Sequence, residues 1–222
     1  MKKMRIRIQG EIIEKANLQK WNYTHGIYSM IMNHFPYQVA EKFHKKHKFI
    51  RLLTFSDIYF TPFDSNPGAI HFYVAGQDSL INEFVENVSK SILVRIEDMV
   101  VAIRKITPLP PLIQKEKYLF KSRVIINISK DGKTLLLDDI PAVEERLRRN
   151  AIKKANLLGK DGDITFRLIN PIKNVEQYKN GHIFSWKCKL EVQGDYDVVN
   201  TIYEVGCGEN TATGHGFLFE VL

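Results

Sequence analysis

The chain has 222 residues, of which 44% are hydrophobic and 26% are charged, and such fractions exclude extensive intrinsic disorder. No apolar run approaches the roughly 18 residues of a membrane-spanning helix, and arginines interrupt the apolar residues behind the basic start, so we expect no signal peptide. The 32 Lys and Arg against 25 Asp and Glu give a net charge of +7, which favours a polyanionic partner such as nucleic acid. We expect a cytoplasmic protein with no membrane partner.

The first half of the chain predicts the order strand, helix, strand, strand, helix, strand. Four short segments have the apolar character or the period of two of a strand, and they lie at 4–9, 49–55, 69–74 and 99–103. Two segments repeat apolar residues every three or four positions, as helices do; they begin near Thr24 and Asp78. Pro36 ends the first helix and starts a short second one. This order is that of the ferredoxin-like unit.

A proline-rich segment then separates two halves. Residues 106–115 read ITPLPPLIQK, in which three prolines remove backbone donors and favour an extended connector. We therefore predict an N-terminal domain over 1–106, a linker over 107–115 and a C-terminal domain over 116–222.

The second half repeats the pattern of the first. Strands are predicted at 118–128, 164–168, 184–192 and 217–222, with a turn at 131–133 after which 135–137 either pairs back or bridges to the next helix. One helix has Pro141 at its first position and ends before Gly159, and another covers 195–205. The fold class that follows is α+β, with two tandem ferredoxin-like (RRM-like, βαββαβ) domains joined by a Pro-rich linker.

Two cysteines occur, Cys188 and Cys207. They are not at metal-ligand spacing, and two thiols cannot build a four-cysteine site. We expect two free thiols, no metal and no cofactor.

Four of the chain's 13 glycines fall within eleven residues near the C-terminus, at Gly206, Gly208, Gly214 and Gly216. Glycines let backbone N–H groups approach a phosphate closely, and Asn210, Thr211 and Thr213 add neutral hydrogen-bonding groups. The pattern lacks the Lys-Ser/Thr pair of a P-loop and the strand-to-helix context of a dinucleotide fingerprint. A flexible connection to the last strand is the other interpretation.

A basic run, KFHKKHKFIR, covers residues 42–51 and contains His44 and His47. Such a run is often only a solvated face. Histidine also titrates near neutrality and serves as general acid or base. RNA supplies its own nucleophile, the 2′-hydroxyl, so a histidine and a nearby cation suffice to cut it.

Two segments carry a family resemblance. The ending YEVGCGENTATGHGFLFEV (203–221) and the segment FHKKHKFIRLLTFSDI (43–58) resemble CRISPR-associated endoribonucleases of the Cas6 family, in the RAMP superfamily. The resemblance implies a metal-independent endoribonuclease that binds CRISPR repeat RNA and cleaves the precursor within each repeat, leaving 2′,3′-cyclic phosphate and 5′-hydroxyl ends. A catalytically inactive repeat-RNA-binding subunit of a CRISPR effector complex is the alternative.

The resemblance also implies site residues. His44 matches the family's catalytic histidine, and His47, one turn further, is its rival. Arg51 matches the basic partner, with Lys48 and Lys46 as alternatives. The sequence has Met32 where the family often has a tyrosine. Tyr28, one turn earlier, is either its substitute or a core residue.

RNA contacts are expected over a wider surface, on the glycine cluster and on basic side chains. The predicted RNA-binding residues are Gly206, Gly208, Gly214, Gly216, Asn210, Thr211, Thr213, His215, Lys45, Lys46, Arg146, Arg149, Lys153, Lys187 and Lys189. The expected partner is CRISPR repeat RNA, both precursor and processed guide. Association with other CRISPR effector subunits and a homodimer are left open.

Overall fold

The computed structural model describes residues 5–15, 23–44, 51–60, 68–130, 133–178 and 181–221. The described part of the first half forms one sheet of six strands and three helices. The strands are β1 (Arg5–Lys15), β2 (Leu53–Phe55), β3 (Tyr59–Phe60), β4 (Ala69–Gly76), β5 (Leu93–Ile96) and β6 (Met99–Pro108). The helices are α1 (Thr24–Asn33), α2 (Tyr37–His44) and α3 (Asp78–Val88).

The first sheet is antiparallel and has the order β2-β4-β1-β6-β5, with β3 also paired to β4. Without the short strands β3 and β5, this is the ferredoxin-like arrangement, in which the first strand lies between the third and the last. The sequence did not predict β3 or β5, because two and four residues are too few to show a period.

The second half has the same arrangement. Its strands are β7 (Tyr118–Val124), β8 (Asn127–Lys130), β9 (Lys133–Leu136), β10 (Ile164–Tyr178), β11 (Gly181–Gly194) and β12 (Phe219–Glu220), and its helices are α4 (Ile140–Leu157) and α5 (Tyr196–Val205). The main sheet is antiparallel, in the order β10-β11-β7-β12. The prediction of two tandem ferredoxin-like units is confirmed.

Three details of the second half differ from the prediction. The strand predicted over 164–168 continues to Tyr178 as β10. The strand predicted over 118–128 stops at Val124, and β8 pairs with β9 in a separate hairpin. The final strand covers only Phe219–Glu220. The predicted linker, 107–115, overlaps the last two residues of β6, which ends at Pro108, and its remainder lies between β6 and the start of β7 at Tyr118. The division into domains at that point stays a prediction.

Each sheet buries its own apolar core against its helices. In the first half, Ile6 and Ile8 of β1 are fully buried, as the alternating pattern requires. In the second half, Leu190 and Val192 of β11 are buried in the same way. Ala212 belongs to the second half in sequence but packs into the first core. The C-terminal loop therefore reaches across the molecule.

Arg5 also joins the two halves. This β1 side chain is 5% exposed; it donates to the carbonyl oxygen of Tyr203, and from Nη2 to that of Leu218 at 2.7 Å. The guanidinium lies 3.6 Å from the centroid of the Tyr203 ring and 4.3 Å from that of Phe217, a cation–π geometry. Burial lowers the pKa of Arg5 to about 10, so the side chain is still charged at neutral pH.

Within the described ranges, no helix has the length and apolar character needed to cross a membrane.

Candidate active site and nucleic-acid interface

The glycine cluster forms a buried loop, residues 206–216, between α5 and the last strand. Its four glycines have φ angles of 88°, 81°, 82° and 76°, which side-chain-bearing residues rarely adopt. A Cβ on Gly216 would lie 1.9 Å from the carbonyl oxygen of Cys207, and one on Gly214 would lie 2.6 Å from Thr24 of the first half. The glycines are therefore required by conformation and by close packing.

Three of the four glycine amides of the loop are not free to bind a phosphate. The N–H groups of Gly206, Gly214 and Gly216 already donate to the carbonyl oxygens of Ile202, Thr211 and Arg123. The loop is therefore not a loose connection. RNA contacts by its glycines stay a prediction, in which the bonded amides of Gly206, Gly214 and Gly216 take no part. RNA contacts by the exposed Asn210 and the half-buried Thr213 stay predictions.

His215 was expected to contact RNA, and its position contradicts this. The side chain is 1% exposed, and its Nδ1 lies 3.3 Å from Thr213 Oγ1. Burial, with the positive charge of Arg123 as a second cause, lowers the pKa of His215 to about 3. The imidazole is therefore neutral at physiological pH and packs inside the loop.

The loop binds directly to the segment predicted to be catalytic. Thr211 Oγ1 donates to the carbonyl oxygen of Arg51 at 3.2 Å, and Thr54 Oγ1 donates to that of His215 at 3.0 Å. Arg51 is half-buried, and its Nη2 donates to the carbonyl oxygen of Phe43 at 2.7 Å. Phe43 immediately precedes His44, the last residue of α2. Arg51 is thus fixed to the end of the helix that carries the predicted catalytic histidine.

Tyr28 lies close to this cation. It is 8% exposed, and burial raises its pKa, while the positive charge of Arg51 acts in the opposite direction. Met32, one turn further along α1, is buried in the core. Tyr28 thus interacts electrostatically with Arg51, which is bonded to the end of α2, and a shared catalytic role for the two residues stays a prediction.

The remaining members of the predicted catalytic run have no described geometry. Lys45, Lys46, His47 and Lys48 lie outside the described residues, and for His44 only the backbone is described. The assignment of His44 over His47 stays a prediction.

A groove of about 750 Å³ opens between the two sheets. It is lined by Ser56, Asp57, Tyr59, His71, Tyr73, Lys121, Ser122, Arg123, Asn174, Val175, Glu176, Lys187, Gly214, Gly216, Phe217 and Phe219. Gly214 and Gly216 belong to the loop that also reaches Arg51. One loop therefore forms part of both the groove and the predicted catalytic segment.

The first sheet and the C-terminal segment contribute aromatic rings to this groove. Tyr59 stacks on His71 with 5.2 Å between ring centroids, and Tyr73 lies 5.8 Å from Phe217. Phe219 lies 4.8 Å from Phe217. Tyr59 is 38% exposed. An exposed ring such as Tyr59 is a platform on which a nucleic-acid base stacks.

The second sheet contributes cations. Lys187 pairs in register with Arg123, and Lys189 pairs with Lys121, so all four side chains lie on one face. The lysines are exposed. Lys187 and Lys189 were predicted from the sequence, and Lys121 and Arg123 were not. Lys121 and Arg123 are two positions apart in KSR (121–123), which places them on one face of β7. That spacing is the sequence signal that could have identified them as partners of the lysines on β11.

Arg123 is held in place by two carboxylates. Its Nη2 lies 2.5 Å from Asp57 Oδ1, and its Nη1 forms an ion pair with Glu176. Asp57 follows β2 and Glu176 is on β10, so this cation connects the two halves at the groove.

The predicted basic residues of α4 do not form one surface. Arg146 donates to the carbonyl oxygen of Asn127 at 2.7 Å and to Glu209 at 3.0 Å, so it braces the hairpin β8–β9 and the loop. These bonds occupy part of the Arg146 guanidinium, and RNA binding by Arg146 stays a prediction. Arg149 is exposed and pairs with Glu145 at 2.8 Å, and Lys153 is exposed. RNA binding by Arg149 and Lys153 stays a prediction.

Comparisons with known proteins agree with this architecture. No curated protein matches the chain. Residues 110–219 match the family model described as CRISPR associated protein Cas6, C-terminal. A solved structure of a "CRISPR associated protein Cas6" is 22% identical, with 99% of each chain covered and a TM-score of 0.78.

Two further solved structures have the same fold. One, titled as an RAMP protein binding different RNA substrates, is 18% identical, with 99% of this chain and 100% of that chain covered and a TM-score of 0.79. Another, the product of a Cas6-related gene from Pyrococcus furiosus, is 21% identical, with 99% and 98% covered and a TM-score of 0.81. The match of residues 110–219 to this model assigns the C-terminal half of the chain to the Cas6 family of CRISPR-associated proteins, and the likeness to the solved structures shows that the whole chain has their double ferredoxin-like fold.

Proposed function

We propose that this protein is a metal-independent endoribonuclease that binds CRISPR repeat RNA and cleaves the precursor once in each repeat, releasing guide RNAs. The observation that carries the proposal is the hydrogen-bonded connection from the glycine loop through Arg51 to the end of α2. Family membership supports the same conclusion.

The chemistry needs only groups that this chain carries. His44 takes the proton of a ribose 2′-hydroxyl, whose oxygen attacks the adjacent phosphorus while the bond to the 5′-oxygen breaks. The leaving 5′-oxygen takes a proton from water and His44 returns its own proton to the solvent, so the products are a 2′,3′-cyclic phosphate and a 5′-hydroxyl. Arg51 stabilises the negative charge that develops on the phosphorane. Its guanidinium has five N–H donors, so donors other than the one bonded to Phe43 serve the phosphate.

Tyr28 supports this site as a neutral hydroxyl. Its raised pKa keeps the phenol protonated at neutral pH, so it acts as a hydrogen-bond donor and not as a base. In this role it replaces the tyrosine that the family often has at the position of Met32.

The groove between the sheets binds the rest of the repeat. Its aromatic rings stack on bases, and Lys121, Lys187 and Lys189 contact phosphates. Stacking demands unpaired bases, so the groove binds a single-stranded segment of the RNA. Because the glycine loop lines the groove and also contacts Arg51, RNA in the groove extends toward the cleavage site.

The test is a cleavage assay with the repeat RNA of the host's own array, in EDTA, with product ends mapped. The natural protein should cut at one position and leave a cyclic phosphate. His44→Ala should abolish cutting, whereas His47→Ala should retain it. Loss of cutting only in His47→Ala would transfer the catalytic role by one turn, and dependence on added metal would contradict the mechanism.

The alternative, an inactive repeat-binding subunit of an effector complex, is favoured by the burial of both Met32 and Tyr28. The same assay separates the two functions. Tight binding of repeat RNA by the natural protein without any cutting would establish the alternative.

A further inference from the structure

Lys154 is a buried lysine on α4 that the proposed chemistry does not use. It is 2% exposed and is the one buried lysine among the residues that the structure describes. An isolated ammonium is costly to bury, so such a group has specific partners. Its neighbour Lys153 on the same helix is exposed, as lysines usually are.

The partners of Lys154 are two carbonyls of the glycine loop. Its Nζ donates to the oxygen of Gly206 at 2.7 Å and to that of Gly208 at 3.0 Å. Both glycines have positive φ angles, 88° and 81°. One ammonium thus holds the start of the loop in its left-handed conformation.

Burial lowers the pKa of Lys154 to about 8, while Cys207 and Glu209 act in the opposite direction. The side chain is therefore predominantly charged at neutral pH. A charged donor binds a carbonyl roughly twice as strongly as a neutral one.

From these carbonyls the loop continues to the predicted catalytic segment. Three residues after Gly208, Thr211 donates to the carbonyl oxygen of Arg51 at 3.2 Å. Arg51 in turn binds the carbonyl oxygen of Phe43 at the end of α2. The path from Lys154 to Arg51 is therefore one short loop, fixed at both ends by hydrogen bonds.

We infer that Lys154 is a positioning residue for RNA cleavage: through the loop and Thr211 it sets the place of Arg51, without touching RNA. This inference rests on the proposed function. It predicts that loss of the ammonium lowers the rate of the chemical step and leaves RNA affinity unchanged. A lysine that only stabilised the fold would not couple specifically to Thr211.

The experiment compares Lys154→Met with the natural protein in single-turnover cleavage of repeat RNA, with affinity measured separately. The cleavage rate is expected to fall roughly ten- to hundredfold, the loss typical of one charged hydrogen-bonding group, with the dissociation constant within about twofold. Lys160→Met is the matched control. Lys160 lies just after the same helix and pairs with Asp197 at 4.0 Å, and its removal should not change the rate.

A double-mutant cycle tests the path. Thr211→Val should lower the rate, Thr211→Ser should restore it, and Lys154→Met added to Thr211→Val should cause little further loss. Additive effects, an unchanged rate in Lys154→Met, or a loss confined to affinity would overturn the inference.

Lys154→Gln keeps an N–H donor without the charge and is the second variant if Lys154→Met does not fold. If both unfold, Lys154 is required for the fold and the positioning role is overturned. If the natural protein binds repeat RNA and does not cut it, the proposed function is wrong. If the natural protein cuts the RNA and Lys154→Met cuts it equally fast, only the inference about Lys154 is wrong. The two failures are therefore distinguishable.

Discussion

The two sheets of this molecule have the same strand order and different chemistry at the groove between them. The first sheet contributes rings, Tyr59, His71 and Tyr73, and the second contributes the cations Lys121, Arg123 and Lys187. The two halves therefore share a fold, but their sheets present different side chains to the groove. Rings favour stacking, which is insensitive to salt, whereas lysines favour phosphates, which salt screens strongly. The comparison predicts that the contributions of the two faces to RNA affinity can be distinguished by their dependence on salt.

The largest expected effect concerns the contact that holds the sheets together. Arg5→Met removes the donor from two buried carbonyls, Tyr203 and Leu218, and the cation from two rings. Unsatisfied buried groups cost about 1–3 kcal/mol each, so we expect the free energy of unfolding to fall by about 4 kcal/mol. Urea denaturation measures this.

The control for Arg5 is Arg104→Met. Arg104 is exposed and pairs with Glu11, and surface ion pairs contribute roughly 0–1 kcal/mol. Equal losses in the two variants would contradict the assignment of Arg5 as the contact between the halves.

The second effect tests the basic face. Replacement of Lys121, Lys187 and Lys189 together by glutamine removes about three phosphate contacts. The slope of log affinity against log salt should fall by about 2, at roughly 0.7 per contact on single-stranded RNA. At low salt we expect affinity to drop on the order of a hundredfold. Fluorescence anisotropy with labelled repeat RNA over a salt series measures both.

A second triple variant has the same net charge and different positions. Lys90, Lys115 and Lys160 each lie near a carboxylate, of Glu86, Glu220 and Asp197 respectively. Their replacement by glutamine should leave the salt slope nearly unchanged. The same slope in both triple variants would show that overall charge, and not the second sheet, binds the RNA.

Much of the fold was predictable because the longer strands and the helices each show the period of their own backbone. The alternation Phe184–Val192 predicts β11, and the glycine cluster predicts a special loop. The features that the sequence did not predict depend on contacts between residues that are distant in sequence. Arg5 occupies a polar position of β1, and only the second half, brought against it, makes that position buried. Lys154 was hidden for the same reason. The groove exists only between the sheets, so Tyr59 and Tyr73 had no local signal.

The third effect is a pH dependence of stability, from the loop that borders the groove. Burial and Arg123 lower the pKa of His215 to about 3, against 6.5 for the ordinary side chain. Below pH 6.5 the unfolded state binds a proton that the folded state does not, so stability falls as the pH decreases from about 6.5 to about 3. The slope contributed by one such group approaches about 1.4 kcal/mol per pH unit.

His215→Phe should reduce this loss of stability at low pH, whereas His182→Gln, at an exposed position, should leave it unchanged. Urea denaturation at pH 4, 5, 6 and 7 measures the free energy of unfolding as a function of pH. The same loss of stability in His215→Phe as in the natural protein would show that other groups cause it. Glu176 Oε2 lies 3.8 Å from His215 Nε2 and is the first of these to replace.

The smallest effect tests the aromatic face. Tyr59→Ala removes a ring that is 38% exposed and stacks on His71. One base–ring stack contributes about 1–3 kcal/mol, so affinity should fall roughly five- to tenfold at the low end of that range. Unlike the lysine variant, Tyr59→Ala should leave the salt slope unchanged, because it removes no phosphate contact. Tyr59→Phe retains the ring and should bind as the natural protein does. If Tyr59→Ala instead lowered the salt slope, the ring would act by positioning the cations of the opposite sheet, and the two faces would be one binding surface.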